Sequence, residues 1–179
     1  MRKCEFCGKS IVAKNAQAKF CSSKCRVYAH RAAKKLPLEL ITRDRWVRYD
    51  QTKRPLDAIT GENASSTDPG TWASHAETVN SRHGIGNGYV LGNGIGCIDL
   101  DHVINDGVLC DAAVELVAKY PGNYIEVSPS GEGLHIWGTS PEGKGSRTIE
   151  NGISVERYST GRYITITGNI YQPGTLLPL

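Results

Sequence analysis

The stretch Gly94-Ile95-Gly96-Cys97-Ile98-Asp99-Leu100-Asp101-His102 limits what this chain can build. Ile95, Cys97, Ile98 and Leu100 give it the apolar, partly β-branched character of a buried strand. The strand would end by exposing two acids. On a strand, Asp99 and Asp101 point to the same face, with Cα atoms about 6.5–7 Å apart. Carboxylates held that close repel each other unless a cation lies between them. The pattern suits Mg²⁺ or Mn²⁺ in phosphoryl or nucleotidyl transfer. A strand end with two solvated acids is the plainer alternative, because acid-x-acid is a common triplet.

A chain of 179 residues makes one medium domain, or one domain with a small appendage, and its 39% hydrophobic content supports a real core. No apolar run is long enough to span a membrane, and the start Met1-Arg2-Lys3-Cys4 lacks the apolar segment of a signal peptide. A cytoplasmic protein is expected, with its six cysteines as ligands or free thiols rather than disulfides. The net charge of +3 hides an asymmetry: ten of the 21 Lys and Arg, but one of the 18 Asp and Glu, fall in the first 35 residues. A basic front on a mildly acidic remainder points to contact with an anionic polymer, most simply nucleic acid.

That front carries Cys4, Cys7, Cys21 and Cys25 in the pattern C-x₂-C-x₁₃-C-x₃-C. Four thiolates can enclose one Zn²⁺ tetrahedrally, and so short a segment needs such a staple to fold. Cys21 and Cys25 have the i, i+4 spacing of one helix face, and a basic helix is expected to continue to Lys35. His30 could replace a cysteine, although a solvated histidine is the simpler reading. The segment resembles the zinc-ribbon or treble-clef fingers that open many phage and bacterial DNA-associated proteins. The expected organisation is a finger over 1–35, a linker over 36–42 opened by Leu36-Pro37-Leu38, and a larger domain over 43–179.

In the larger domain, Arg45–Tyr49 reads as a strand. Thr67-Asp68-Pro69 starts a helix with Trp72, Ala73, Ala76 and Val79 on its apolar face, and Asp68 as its cap. Tyr89–Leu91 is a strand between glycine-rich turns. Ala113, Leu116, Val117 and Tyr120 mark a helix that Pro121-Gly122 stops. Tyr124–Val127, Leu134–Trp137, Ile153–Glu156 and Arg162–Thr167 are further strands. The order implies an α+β fold with a mixed or antiparallel sheet. Cys97 and Cys110 read as core residues.

Three separated elements then stand out: Ile98-Asp99-Leu100-Asp101, Ser128-Pro129-Ser130-Gly131-Glu132-Gly133-Leu134-His135, and Val155-Glu156 followed by Arg162 and Thr167. Together they resemble the archaeo-eukaryotic primase superfamily, above all the primase-polymerase (prim-pol) domains of phages and plasmids. The opening Trp46…Lys53-Arg54-Pro55…Ser65-Ser66-Thr67-Asp68-Pro69…Trp72 is also similar to those domains. The resemblance implies an RRM-like, largely antiparallel sheet with flanking helices behind the finger. It implies that Asp99, Asp101 and Glu156 hold divalent metals (Mg²⁺ or Mn²⁺) and that His135 contacts the triphosphate of the incoming nucleotide. Ser130 and Gly131 would bring backbone N–H groups to phosphate, and Arg162 and Lys53 would neutralise its oxygens. Glu126 and Glu150 compete with Glu156 for the third-ligand role.

The implied activity is DNA primase/polymerase-type nucleotidyl transfer from (d)NTPs on single-stranded DNA, in phage or plasmid replication, with a separate replicative helicase as a further partner. Two alternatives have other warrants. The short stretch after the last motif suits a non-catalytic DNA-binding module of degenerate prim-pol fold. The acids and His135 would also suit a metal-dependent nuclease or nicking enzyme, although Trp137 stands where a tyrosine or second histidine would help.

Overall fold

The computed structural model describes residues 3–4, 9–11, 18–32 and 36–179, for 28–32 the backbone alone. The chain divides into two compact units, Met1–Lys35 and Leu36–Leu179. In the first, Lys3 and Ser10 form an antiparallel bridge, and the Cys4 N–H donates to the Lys9 carbonyl at 2.8 Å. Helix α1 follows over Ser23–Ala32.

The second unit opens with α2 (Leu38–Ile41), inside the stretch expected as a linker. This stretch packs as part of the unit. Leu40 is fully buried, its carbonyl accepts from Trp46 Nε1 at 2.9 Å, and Leu36 lies against the same apolar cluster. Then come β1 (Trp46–Tyr49), β2 (Pro55–Leu56), α3 (His75–Asn80), β3 (Gly86–Val90), β4 (Ile95–Leu100), β5 (Ile104–Asn105), β6 (Val108–Leu109) and α4 (Asp111–Val117). The chain closes with β7 (Tyr124–Val127), β8 (Leu134–Thr139), β9 (Ser146–Glu150), β10 (Ile153–Tyr158), β11 (Tyr163–Ile166) and β12 (Ile170–Gln172).

The strands form a four-stranded sheet in the order β11-β3-β1-β2, a six-stranded sheet in the order β12-β7-β8-β4-β10-β9, and the hairpin β5-β6. Every ladder is antiparallel. Parallel pairing is confined, among the described residues, to the bridges Asn123–Thr175 and Thr139–Pro178. The fold is therefore α+β with antiparallel rather than mixed sheets.

The six-stranded sheet is covered on both faces. Ile95, Cys97, Tyr124 and Trp137 meet Trp46, Tyr89, Leu91 and Ile164, which come from the four-stranded sheet and the turn after it. The alternate residues Ile98, Leu100, Ile125, Leu134, Ile136 and Val155 pack on Ala113, Leu116 and Val117 of α4. Covering both faces explains why β4 reads as a nearly continuous apolar run.

The single helix expected after Thr67 is divided. Asp68 caps a 3-10 turn at Pro69–Thr71, accepting from Gly70 N, and α3 starts afresh behind a capping box of Ser74 and Glu77. Between them Ala73 exchanges backbone hydrogen bonds with Trp46, at 2.8 and 3.0 Å, which pulls the chain straight. Val79, expected on the buried face, is 47% exposed.

Candidate active site

Strand register assembles the site. Glu126 on β7 pairs with His135 on β8, His135 with Asp99 on β4, Asp99 with Glu156 on β10, and Glu156 with Arg147 on β9. Directly opposed residues of antiparallel strands share a face. Five polar side chains thus form one row across five strands. Two residues further along their strands, Tyr124, Trp137 and Cys97 of the same face enter the apolar cluster beneath the four-stranded sheet. The row lies at the rim of that inter-sheet core.

Beside the row opens a cavity of about 480 Å³. Asp99, Asp101 and His135 line it from the six-stranded side; Lys53, Arg162 and Thr165 line it from the other. Asp99 is 22% exposed, and its Oδ1 lies 3.6 Å from His135 Nε2. Burial holds the Asp99 carboxyl above the ordinary aspartate range; His135 draws it back down, while Asp101 and Glu156 push it further up. Asp101 lies just past the end of β4 and is exposed.

Glu156 stands opposite Asp99, but both its oxygens are engaged. Oε1 is 3.2 Å from Arg147 Nε, and Oε2 accepts from Tyr158 Oη at 2.5 Å. It does not line the cavity. Among the described residues the three carboxylates do not bring ligand atoms within 4.8 Å of one another. Asp99 and Asp101 both line the cavity, whereas Glu156 would have to release Arg147 or Tyr158 to turn towards them.

The two competing acids are accounted for. Glu150 binds Arg157 at 2.6 Å and follows Thr148, which is paired with core-facing Val155, so it belongs to the opposite face. Glu126 is fully buried behind His135 and surrounded by donors.

The expected phosphate contacts divide. Ser130 lines the cavity, yet its hydroxyl also braces the β7–β8 loop, 3.1 Å from Ser128 Oγ and accepting from Glu132 N at 3.2 Å. Gly131 does not line the cavity; with φ +81° it supplies the turn. Lys53, itself at φ 61°, lies in the β1–β2 turn that Asp50 organises by accepting from Thr52 N and Arg54 N at 2.8 and 3.0 Å. Tyr163 Oη holds the Lys53 carbonyl at 2.5 Å. The Arg162 guanidinium stacks 4.0 Å over the Tyr158 ring. Arg147, Ser66 and Thr165 are site neighbours that strand and turn patterns alone do not single out. Ser66 Oγ donates to the Gly161 carbonyl at 3.0 Å, tying the polar loop to the cavity wall.

In the first unit, the sulfurs of Cys4, Cys21 and Cys25 lie within 4.8 Å of one another, and Cys21 and Cys25 are 3.5 Å apart. Thiolates about 2.3 Å from a tetrahedral Zn²⁺ require S–S separations of this order, so the three fit such an ion. Cys7, expected as the fourth ligand, and the side chain of His30 lie outside the described residues.

An acidic strand end, a buried histidine and a basic opposite wall define a class of site that can engage a cation and a polyphosphate together. Across 70% of its length the chain is 38% identical to the DNA primase-polymerase of Nitratiruptor phage NrS-1. That likeness supports kinship with the phage primase-polymerases, and the chain spans 19% of the length of that relative. No protein-family model matches the chain. Among the described residues, no helix is long and apolar enough to cross a membrane.

Proposed function

We propose that residues 43–179 act as a primase/polymerase-type nucleotidyltransferase domain, using (d)NTPs on single-stranded DNA. The observation that carries this reading is the register row that aligns His135, Asp99 and Glu156 beside a cavity rimmed by Lys53 and Arg162. Asp99 and Asp101, joined by Glu156 once it exchanges its arginine, would hold Mg²⁺ or Mn²⁺. Such ions acidify an attacking 3′-hydroxyl and neutralise a leaving pyrophosphate. His135 presents Nε2 to the triphosphate, where a donor offsets the charge that grows as the α–β bond breaks. Lys53 and Arg162 bind phosphate oxygens from the opposite wall. Cys4, Cys7, Cys21 and Cys25 would hold structural zinc, and the basic front would raise the local concentration of template.

The test is primer extension with Asp99→Ala and Asp101→Ala. Each should lose incorporation by at least about 100-fold with the thermal transition retained. Incorporation at the wild-type rate would end the assignment.

A second reading has its own observation. Glu156 is fully engaged by Arg147 and Tyr158, as expected of a DNA-binding module whose metal site has lapsed. Calorimetry separates the two: the lapsed module would show no Mn²⁺-dependent binding of dNTP.

A further inference from the structure

We infer that Glu126 is the positioning residue of this site, fixing the His135 ring so that Nε2 faces the cavity. The inference deepens the nucleotidyl-transfer reading and rests on it for the purpose, though not for the geometry, of the pairing. Glu126 is a fully buried acid on a central strand, where an apolar residue would fill the space without losing hydration. Its two oxygens have different surroundings. Oε2 accepts from Gly168 N at 2.9 Å, Thr167 N at 3.2 Å and Tyr124 Oη at 3.2 Å, which fastens the corner between β11 and β12. Oε1 faces the row, 3.3 Å from both Trp137 Nε1 and His135 Nδ1.

Backbone and indole N–H groups can only donate, and they use both oxygens as acceptors, the setting of a carboxylate rather than of an O–H donor. Against a carboxylate, His135 offers Nδ1–H. That leaves Nε2 turned to Asp99 and the cavity, whether the ring is neutral or charged. Half a turn of the imidazole would break the bond to Oε1, so the carboxylate also restrains the ring. A third-ligand role for Glu126 is excluded by position: it is fully buried and does not line the cavity.

The experiment uses the full chain. Long-range proton–nitrogen correlation spectra report which imidazole nitrogen carries a proton, and loss of one signal set in His135→Gln assigns the ring. The wild type should show His135 protonated at Nδ1. Glu126→Gln places an amide among donors; it should shift the ring to the other tautomer or to a mixture. It should also weaken Mn²⁺-dependent dNTP binding about 10- to 100-fold while leaving affinity for single-stranded DNA within about twofold.

Tyr124→Phe removes a donor from Oε2 alone. It should lower the melting temperature and leave both the tautomer and nucleotide affinity unchanged. An unprotonated Nδ1 in the wild type overturns the inference, and this reading stands even if Glu126→Gln fails to fold. Equal loss of nucleotide affinity in Tyr124→Phe and Glu126→Gln also overturns it, since a scaffold role would then suffice. Absence of primer extension by the wild type would instead refute the polymerase reading and leave the tautomer result intact.

Discussion

Tyr89 shows how a single residue can be at odds with its setting. Its ring meets Trp46 and Trp137 edge-on, with centroids 5.5 and 6.1 Å away, in the middle of the inter-sheet core. Its hydroxyl is buried with no hydrogen-bond partner among the described residues, and burial pushes its pKa up to about 12. An unmet buried donor costs about 1–3 kcal/mol. Tyr89→Phe should therefore leave stability unchanged or raise it by about 1 kcal/mol in urea denaturation. A loss of 1 kcal/mol or more would mean the hydroxyl has a partner in solution. Glu126 is the contrasting case, a buried polar group with both oxygens accepting hydrogen bonds. The sequence marks it only as a competitor for the third-ligand role, and its burial is not legible there. In Tyr124-Ile125-Glu126-Val127 the acid shares a face with Tyr124, and only a second sheet laid over that face buries it.

At the scale of elements, the turns carry the site as much as the strands do. Asp50 after β1 accepts from Thr52 and Arg54, and these hydrogen bonds, the Thr52 side chain foremost, hold its pKa well below the usual aspartate range. A carboxyl depressed in the folded state adds stability above its unfolded pKa of about 4, and that stability fades as pH falls towards the folded value. Asp50→Asn should therefore melt below the wild type at pH 7, and the gap should close progressively below about pH 4. A gap independent of pH would remove this account of the turn.

Gly133 is constrained by space. A Cβ there would lie 2.5 Å from the Leu100 carbonyl and 2.8 Å from Ser128 Oγ. Because a backbone carbonyl cannot step aside, Gly133→Ala should cost about 1–3 kcal/mol and displace the β7–β8 loop from the cavity. Thermal melts with nucleotide titration would check both effects.

Elements with strong periodic signals were legible, among them β4, β8, β10 and the α4 face of Ala113, Leu116 and Val117. β9 was not. Ser146-Arg147-Thr148-Ile149-Glu150 is an exposed edge strand whose one large apolar residue, Ile149, faces water, so no buried face writes a pattern into it. β2 and β12 are too short to show a period. The join at Trp72-Ala73 was missed because the bond to Trp46 that straightens it is a tertiary contact. The acid-x-acid and histidine motifs were legible as motifs. Their common row was not, since register depends on which strands become neighbours.

For the molecule as a whole, the division into two units of unlike charge has a testable result. Stripping metal with a strong chelator should unfold the front unit and weaken binding to single-stranded DNA, reducing its salt dependence. The main thermal transition, which reports the doubly covered sheet of residues 36–179, should stay in place. A main transition that shifts on chelation would show that the two units fold as one.

The cavity is walled by two different sheets, and the aromatic layer of Trp46, Tyr89 and Trp137 stands between those sheets. These rings therefore act as a gauge block: their thickness sets the gap into which a substrate must slide. Grinding that block down with smaller residues at Trp46 or Tyr89 would narrow the jaws and change which molecules are admitted.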